Sequence, residues 1–376
     1  MTTTSLRWFI PLVFLASTQA QAELQAPDIS LTLDAYHKSD STALGGRVEG
    51  WGLSHTELGI SQQFGSFARG KFTAVAESNK EETDFSIEEA YLQSLALPAG
   101  LTVRGGRFLA DIGYLNGQHP HADSFTERPL LYRAFLGGHY YDDGLGLSMV
   151  MPTDLYWRIS AEAFKGDELG EFEADPTIGT WALSTTVGGD LSATQSWQAG
   201  FSYLRNRMLA EGEEEHGHDH ADEHAGHSHG AEYTGKHLYL ADLVWKWAPK
   251  GNNRDQQLTL SAEYARVNDL NEYASGDDYH EGWYGSAVYR FAPQWSAGVR
   301  HGRVDLKLGH GDHFHDGALE ETVAMLAWSP SHSQTVRVQY SHQDAVEDWH
   351  GTFAGADNAV TLQYIISFGA HDAHTF

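Results

Sequence analysis

The sequence predicts an all-β protein, a transmembrane antiparallel β-barrel of about sixteen strands with short turns at one end and long loops at the other. Three observations carry this: two-faced apolar/polar stretches of membrane-crossing length recur along the chain, short turns alternate with long polar connections, and no segment after the first twenty or so residues is apolar enough to cross a membrane as a helix.

The chain starts with a pattern of its own. A lone Arg7 leads into the apolar run Trp8-Phe9-Ile10-Pro11-Leu12-Val13-Phe14-Leu15-Ala16, and small residues close it at Ala20-Gln21-Ala22. Basic start, apolar middle and A-x-A end make a secretory signal over residues 1–22, with the barrel occupying 23–376. The apolar run is too short for the roughly 20 residues of a spanning helix.

Composition narrows the function classes. A mean hydropathy of −0.42 and 20% charged residues would suit a soluble protein, yet 12% aromatics, 39 glycines and 10 prolines point to extended antiparallel structure. A barrel wall reconciles the two, because alternate residues face lipid and lumen. The net charge of −27 becomes −28 once the signal takes Arg7 with it, which argues against nucleic acid and favours metal ions or other cations as partners. With no cysteine in the chain, disulfides and thiolate metal sites are excluded, and a metal would need His, carboxylate or backbone ligands.

The strands are read in order at 28–37, 54–64, 70–77, 84–96, 100–108, 143–151, 155–164, 178–188, 194–206, 236–247, 256–267, 281–291, 294–303, 319–329, 333–343 and 357–368. In the last, Val360, Leu362, Tyr364, Ile366 and Phe368 alternate with Thr361, Gln363, Ile365 and Ser367, a period of two. Turns such as Pro152-Thr153-Asp154 and Ser329-Pro330-Ser331 are short, whereas 38–53, 78–83, 109–142, 165–177, 207–235, 268–280, 304–318 and 344–356 are longer. With sixteen strands all of these longer stretches fall at one end, the outer one, and both termini fall in the periplasm. Trp157, Trp245, Trp247, Trp283, Trp295 and Trp328 near strand ends suit an interfacial girdle.

Metal-ligating residues concentrate in the long connections. Residues 211–230 hold six histidines and seven carboxylates but no Lys, Arg or large apolar side chain, so the stretch cannot build a core. His216, His218, Asp219, His220, His224, His227 and His229 are the candidate ligands there, and neutral imidazole suits zinc, copper or nickel. Many ligand sets are available, so several exchanging sites are expected rather than one closed site. His310, Asp312, His313 and His315 repeat the chemistry in the expected loop 304–318.

The connection 109–142 is too long for an ordinary loop and carries the apolar segment Pro129-Leu130-Leu131-Tyr132-Arg133-Ala134-Phe135-Leu136. It is expected to fold into the lumen and narrow it. His119, His121, Asp123, Arg128 and Arg133 are then the constriction residues. A flap packed on the outer rim is the other reading.

The runs Arg104-Gly105-Gly106-Arg107-Phe108, Ile112-Gly113-Tyr114-Leu115-Asn116, Gln118-His119-Pro120-His121, Tyr132-Arg133-Ala134-Phe135-Leu136-Gly137-Gly138 and Pro152-Thr153-Asp154-Leu155 resemble a family of zinc-associated outer-membrane proteins, some labelled zinc-regulated receptors. The resemblance covers roughly residues 104–165; it implies expression under zinc limitation and a role in zinc passage. More distantly the layout is similar to phosphate-selective porins, from which the acidic balance and the lack of an evident arginine ladder set it apart. No Gly-x-Ser-x-Gly, His-Glu-x-x-His or phosphate-binding glycine loop is present, so no enzyme activity is expected.

The expected function is a porin-like channel in the bacterial outer membrane whose His/Asp/Glu-rich outer loops collect divalent metal, zinc above others, and let it pass inward. The competing classes are a general or anion-type porin and an adhesive or structural barrel with incidental metal binding. Membrane lipid, metal ions, two further copies of the chain in a homotrimer, and a periplasmic metal-binding protein are the expected partners.

Overall fold

The computed structural model describes residues 26–80, 82–169, 178–207, 231–310 and 313–369. The expected signal sequence of residues 1–22, Asp312, and Asp219 with the histidines of 211–230 lie outside the described residues.

Sixteen strands run in chain order: β1 (Asp28–Lys38), β2 (Gly50–Phe64), β3 (Ala68–Ser78), β4 (Thr83–Ser94), β5 (Leu101–Leu109), β6 (Tyr141–Val150), β7 (Tyr156–Phe164) and β8 (Thr180–Ser192) form one half. The other half comprises β9 (Gln195–Asn206), β10 (His237–Trp247), β11 (Gln257–Asn268), β12 (Tyr279–Ala292), β13 (Trp295–His310), β14 (His313–Ser331), β15 (Gln334–Glu347) and β16 (Asn358–Gly369). Each pairs antiparallel with its sequence neighbours, and β1 closes on β16 from Ser30↔Gly369 to Lys38↔Thr361. Closure leaves the wall no unpaired edge, the condition for crossing a bilayer with strands.

The two faces differ as lipid and lumen require. Along β16, Val360, Leu362 and Tyr364 point outward and are exposed, while Thr361 and Gln363 point inward and are buried. The outward set continues around the wall with Leu145, Leu183, Phe201, Leu243, Leu326 and Val338, and with Trp157, Trp283, Trp295 and Trp328. An apolar belt of this kind stabilises the wall only against hydrocarbon.

The expected loop 304–318 is corrected. β13 continues to His310 and β14 begins at His313, paired in unbroken register from Val304↔Leu319 to His310↔His313. Inward Val304, Leu306 and Leu308 alternate with outward Asp305 and Lys307, so a period-two pattern was present beneath the polar composition. His310, His313 and His315 therefore stand on a projecting hairpin.

The connection between β5 and β6 lies inside the barrel. Its helix α1 (Leu130–Leu136) is buried at every residue and packs on the inner wall of β11, β12 and β13. Seven residues are too few for an independent helix; burial sustains this one, and Gly137 at φ 59° ends it, with the Gly138 N–H donating to Tyr132 O at 2.9 Å. Opposite it the inner wall is apolar rather than polar, with Leu238, Leu240, Ala265, Val267, Val304 and Leu306 buried in one cluster with Leu131, Tyr132 and Phe135. Polar bonds fix the rest: Tyr132 Oη donates to Glu263 at 2.8 Å, the Thr126 N–H to Gln339 at 2.9 Å, Arg300 to Glu127 O at 2.7 Å and Arg337 to Asp123 O at 2.7 Å. The loop is thereby tied across the lumen to β11, β13 and β15.

Candidate metal centre

Two irregular strands face this loop from β2 and β4. β2 carries an extra residue between Leu53 and Thr56 relative to β3, and between Leu53 and Glu57 relative to β1. His55, within that bulge, and Glu57, at its edge, both point inward and are buried. On β4, Glu89 pairs with Thr73 and Ile87 with Ala74, which leaves Glu88 as the extra residue. Strict alternation would send one of two adjacent side chains to lipid; the bulge buries both Glu88 and Glu89. The loop supplies His119 and His121 from a tight turn over Pro120–Ala122, where Pro120 holds His119 extended at ψ 142° and the two rings stack 5.8 Å apart at 10°. It returns with His139 next to β6.

These groups converge. His55 Nε2 lies 3.3 Å from Glu88 Oε2 and 3.8 Å from Glu57 Oε2. His119 Nδ1 lies 3.4 Å from the same Glu57 oxygen and 3.5 Å from the same Glu88 oxygen, and His121 Nδ1 lies 3.2 Å from Glu57 Oε2. All five atoms are buried, and none has a hydrogen-bond partner among the described residues. The pairs stand at hydrogen-bonding to ion-pairing distance without hydrogen-bond geometry, and His55, Glu57 and His119 offer three donor atoms within 4.8 Å of one another.

Magnitudes decide what that means. A buried polar atom left unsatisfied costs about 1–3 kcal/mol, so a cation bound among these five, whether a proton or a metal, is favoured. Donors held about 2.0–2.1 Å from a tetrahedral zinc stand about 3.3 Å apart, the spacing of this set. Two imidazole nitrogens and two carboxylate oxygens, with a third imidazole at the side, form a borderline donor set that fits zinc and its first-row neighbours.

The surroundings orient the donors. His119 Nε2 lies 3.0 Å from Glu89 Oε2, which also accepts from Lys71 Nζ at 2.6 Å and from Thr73 Oγ1 at 2.8 Å. A carboxylate behind the distal nitrogen fixes a ligating ring in place. Burial pushes the His119 imidazole down, but the surrounding carboxylates of Glu88, Glu89 and Glu57 outweigh it and raise its pKa to about 10. Without a metal, this carboxylate nest recruits a proton as its cation. His139 Nε2 lies 2.8 Å from Glu88 Oε1, the other oxygen of that carboxylate.

The sequence-predicted residues separate into two groups. His119 and His121 join the centre, whereas Asp123, Arg128 and Arg133 serve the loop's attachment: Arg128 Nε donates to Asp123 Oδ2 at 2.9 Å, and Arg133 reaches Glu127 at 3.4 Å and Glu321 at 2.5 Å. On the projecting hairpin, His315 stacks on Trp349 at 4.2 Å and 9°, and the His310 ring lies 5.2 Å from Trp349. Among the described residues, the groups of three or more donors that converge both belong to the lumenal centre. Sequence reasoning missed His55, Glu57, Glu88, Glu89 and His139. His55-x-Glu57 shares one strand face, the available signal, but inward polar residues are ordinary in a barrel.

No family model matches the chain. A protein of Aquifex aeolicus (strain VF5), named "Uncharacterized protein", is 24% identical over 326 residues, 78% of this chain, and this chain spans 64% of that relative's length. Among solved structures, OmpF of Salmonella typhi in complex with daunomycin superposes with a TM-score of 0.57 at 13% identity, covering 91% of this chain and 97% of that one. The outer membrane channel DcaP of Acinetobacter baumannii gives 0.55 at 12%, covering 91% and 96%. OmpT of Vibrio cholerae in its trimer form gives 0.55 at 11%, covering 91% and 99%. Closed wall, lipid-facing belt and shared architecture together make the chain an outer-membrane β-barrel of porin-like fold.

Proposed function

We propose that this barrel is a channel for divalent metal, zinc above others, and that ions pass the loop of residues 110–140 by way of the lumenal His/Glu centre. One observation carries the reading: His55 Nε2, Glu57 Oε2, Glu88 Oε2, His119 Nδ1 and His121 Nδ1 lie in His–Glu pairs 3.2–3.8 Å apart and have no hydrogen-bond partner among the described residues. Their work is to replace the shell of water an ion sheds in the lumen. Glu57 and Glu88 supply charge, the imidazoles select borderline metals over calcium and magnesium, and Glu89 holds His119 in place. The likeness of residues 104–165 to zinc-associated outer-membrane proteins agrees with this reading, as does the acidic net charge.

The His-rich stretch 211–230 then acts as an outer collector that raises the zinc concentration at the mouth, and a periplasmic metal-binding protein takes the ion on release. A homotrimer is the proposed assembly, in keeping with the trimer form of the Vibrio cholerae neighbour.

Flux into proteoliposomes loaded with a zinc indicator tests the proposal. The wild-type chain should admit zinc well above empty vesicles, and Glu57→Gln together with His119→Ala should reduce that flux at least tenfold while the barrel stays folded. Wild-type flux equal to that of empty vesicles, or unchanged flux in the double variant, rejects a route through this centre.

A further inference from the structure

A donor set that satisfies an ion fully also holds it tightly, whereas passage requires release. The structure places an answer next to the centre. A cavity of about 130 Å³ is lined by Ser54, Glu77, Ser86, Glu88, His139 and Tyr141 on the near side. The guanidiniums that border it are paired: Arg47 with Asp34, Arg128 with Asp123, and Arg133 with Glu127 and Glu321.

Glu88 belongs to both compartments. Its Oε2 faces the five-atom centre, 3.3 Å from His55 Nε2 and 3.5 Å from His119 Nδ1. Its Oε1 faces His139 Nε2 at 2.8 Å. His55, Glu88 and His139 converge as a second donor group beside His55, Glu57 and His119. On the cavity side, Glu77 Oε1 lies 4.0 Å from His55 Nδ1.

We propose that the protein holds two divalent ions side by side, bridged by the Glu88 carboxylate. The inner ion takes the five-atom set. The second takes Glu88 Oε1 and His139 Nε2 beside His55, and completes its shell with water, for which the cavity has room for roughly four molecules. The 2.8 Å contact between Glu88 and His139 must open by about half an ångström to reach a tetrahedral edge. Each arriving ion draws on the shared carboxylate and repels its neighbour, so occupation of the outer position loosens the inner one, the arrangement that lets a tight filter conduct. This inference rests on the proposed metal route and adds a second station to it.

Metal content of the full chain separates the two. Purified wild-type protein and single variants are stripped with chelator, equilibrated with zinc, freed of unbound ion and analysed for zinc per chain; circular dichroism and heat-modified mobility confirm folded barrels. His139→Ala should lose one ion relative to wild type, whatever number the outer loop adds. His139→Gln, which preserves bulk and a hydrogen bond to Glu88, should lose the same one. Glu88→Ala should lose two, and chelator should strip the remaining lumenal ion of His139→Ala more slowly than the inner ion of wild type. Loss of one ion in Glu88→Ala with none lost in either His139 variant overturns the second station and leaves the metal route standing. Loss of none in any variant overturns both.

Discussion

Carboxylates inside this barrel divide into those used as locks and those that keep an oxygen without a hydrogen bond. Glu127 accepts from Lys38 Nζ at 3.0 Å and from the Arg47 N–H at 3.0 Å, with Arg133 at 3.4 Å. Burial pushes its pKa up, but Lys38, Arg133 and Arg47 outweigh it and hold it at about 2. Glu57 and Glu88, equally buried, keep an oxygen without a hydrogen bond. A depressed carboxylate contributes stability that is present above its unfolded value near 4.3 and lost as pH falls through the folded one. Acidification from about pH 4.5 towards 2 should therefore release the loop from the β1 side of the lumen before the strand pairing fails. Single-channel conductance should rise in that window, and Glu127→Gln should show the raised level already at pH 7; equal conductance for variant and wild type at pH 7 refutes the locking role. Residue identity was partly legible in the sequence. The His119-Pro120-His121 motif announces itself within a long loop, whereas His55 and Glu57 read as ordinary lumen-facing polar residues until the two bulges bring them opposite Glu88.

At the level of elements, strand order was legible because lipid and lumen impose a period of two on every wall strand, and turn length marked the ends. The hairpin of β13 and β14 was not, because its Asp, His and Gly content mimics a loop while its alternation is reversed, apolar inside and charged outside. That reversal has a physical cause: the inner wall there supports the apolar underside of the lumenal loop, and charged outward residues such as Asp305 and Lys307 are unsuited to hydrocarbon. The loop in turn depends on close approach to the wall at Gly113. Its φ is 61°, its N–H donates to Ser202 Oγ at 3.1 Å, and a Cβ there would stand 2.6 Å from Glu263 Oε2. Gly113→Ala should cost about 1–2 kcal/mol from the left-handed backbone alone, and more from displacing Glu263 off Tyr132. Gly117→Ala, where nothing lies within 4 Å of the added carbon and no positive φ is required, is the matched control. Limited proteolysis should cut the loop faster in the first variant than in the second, and equal rates would show that the loop does not need this contact.

At the level of the whole molecule, charge bears on what the proposed passage would admit. The chain carries −27 in total, and its interior is not uniform. On the β1, β13 and loop side, Lys38, Arg47, Arg133 and Arg300 each face a carboxylate, at 3.0, 3.0, 2.5 and 2.9 Å from Glu127, Asp34, Glu321 and Glu321. Positive charge there is neutralised at short range and spent on holding the loop. On the β2 and β4 side, Glu57, Glu88 and Glu89 outnumber the one Lys or Arg that pairs with them among the described residues, Lys71, and the imidazoles of His55, His119 and His121 stand against the rest. A mobile ion entering the lumen therefore meets net negative potential on the side where the donors are free, and such walls raise the local cation concentration. Under a potassium chloride gradient across a planar bilayer, the reversal potential should show cation preference. Zinc added at micromolar concentration should reduce the potassium current by occupying the centre, and Glu88→Ala should lose that block while retaining a folded, conducting barrel, because a side chain on the lumen face contributes little to strand pairing. An anion preference would exclude the acidic face as the conducting path. Zinc block that persists undiminished in Glu88→Ala would place the blocking ion on the outer loops instead.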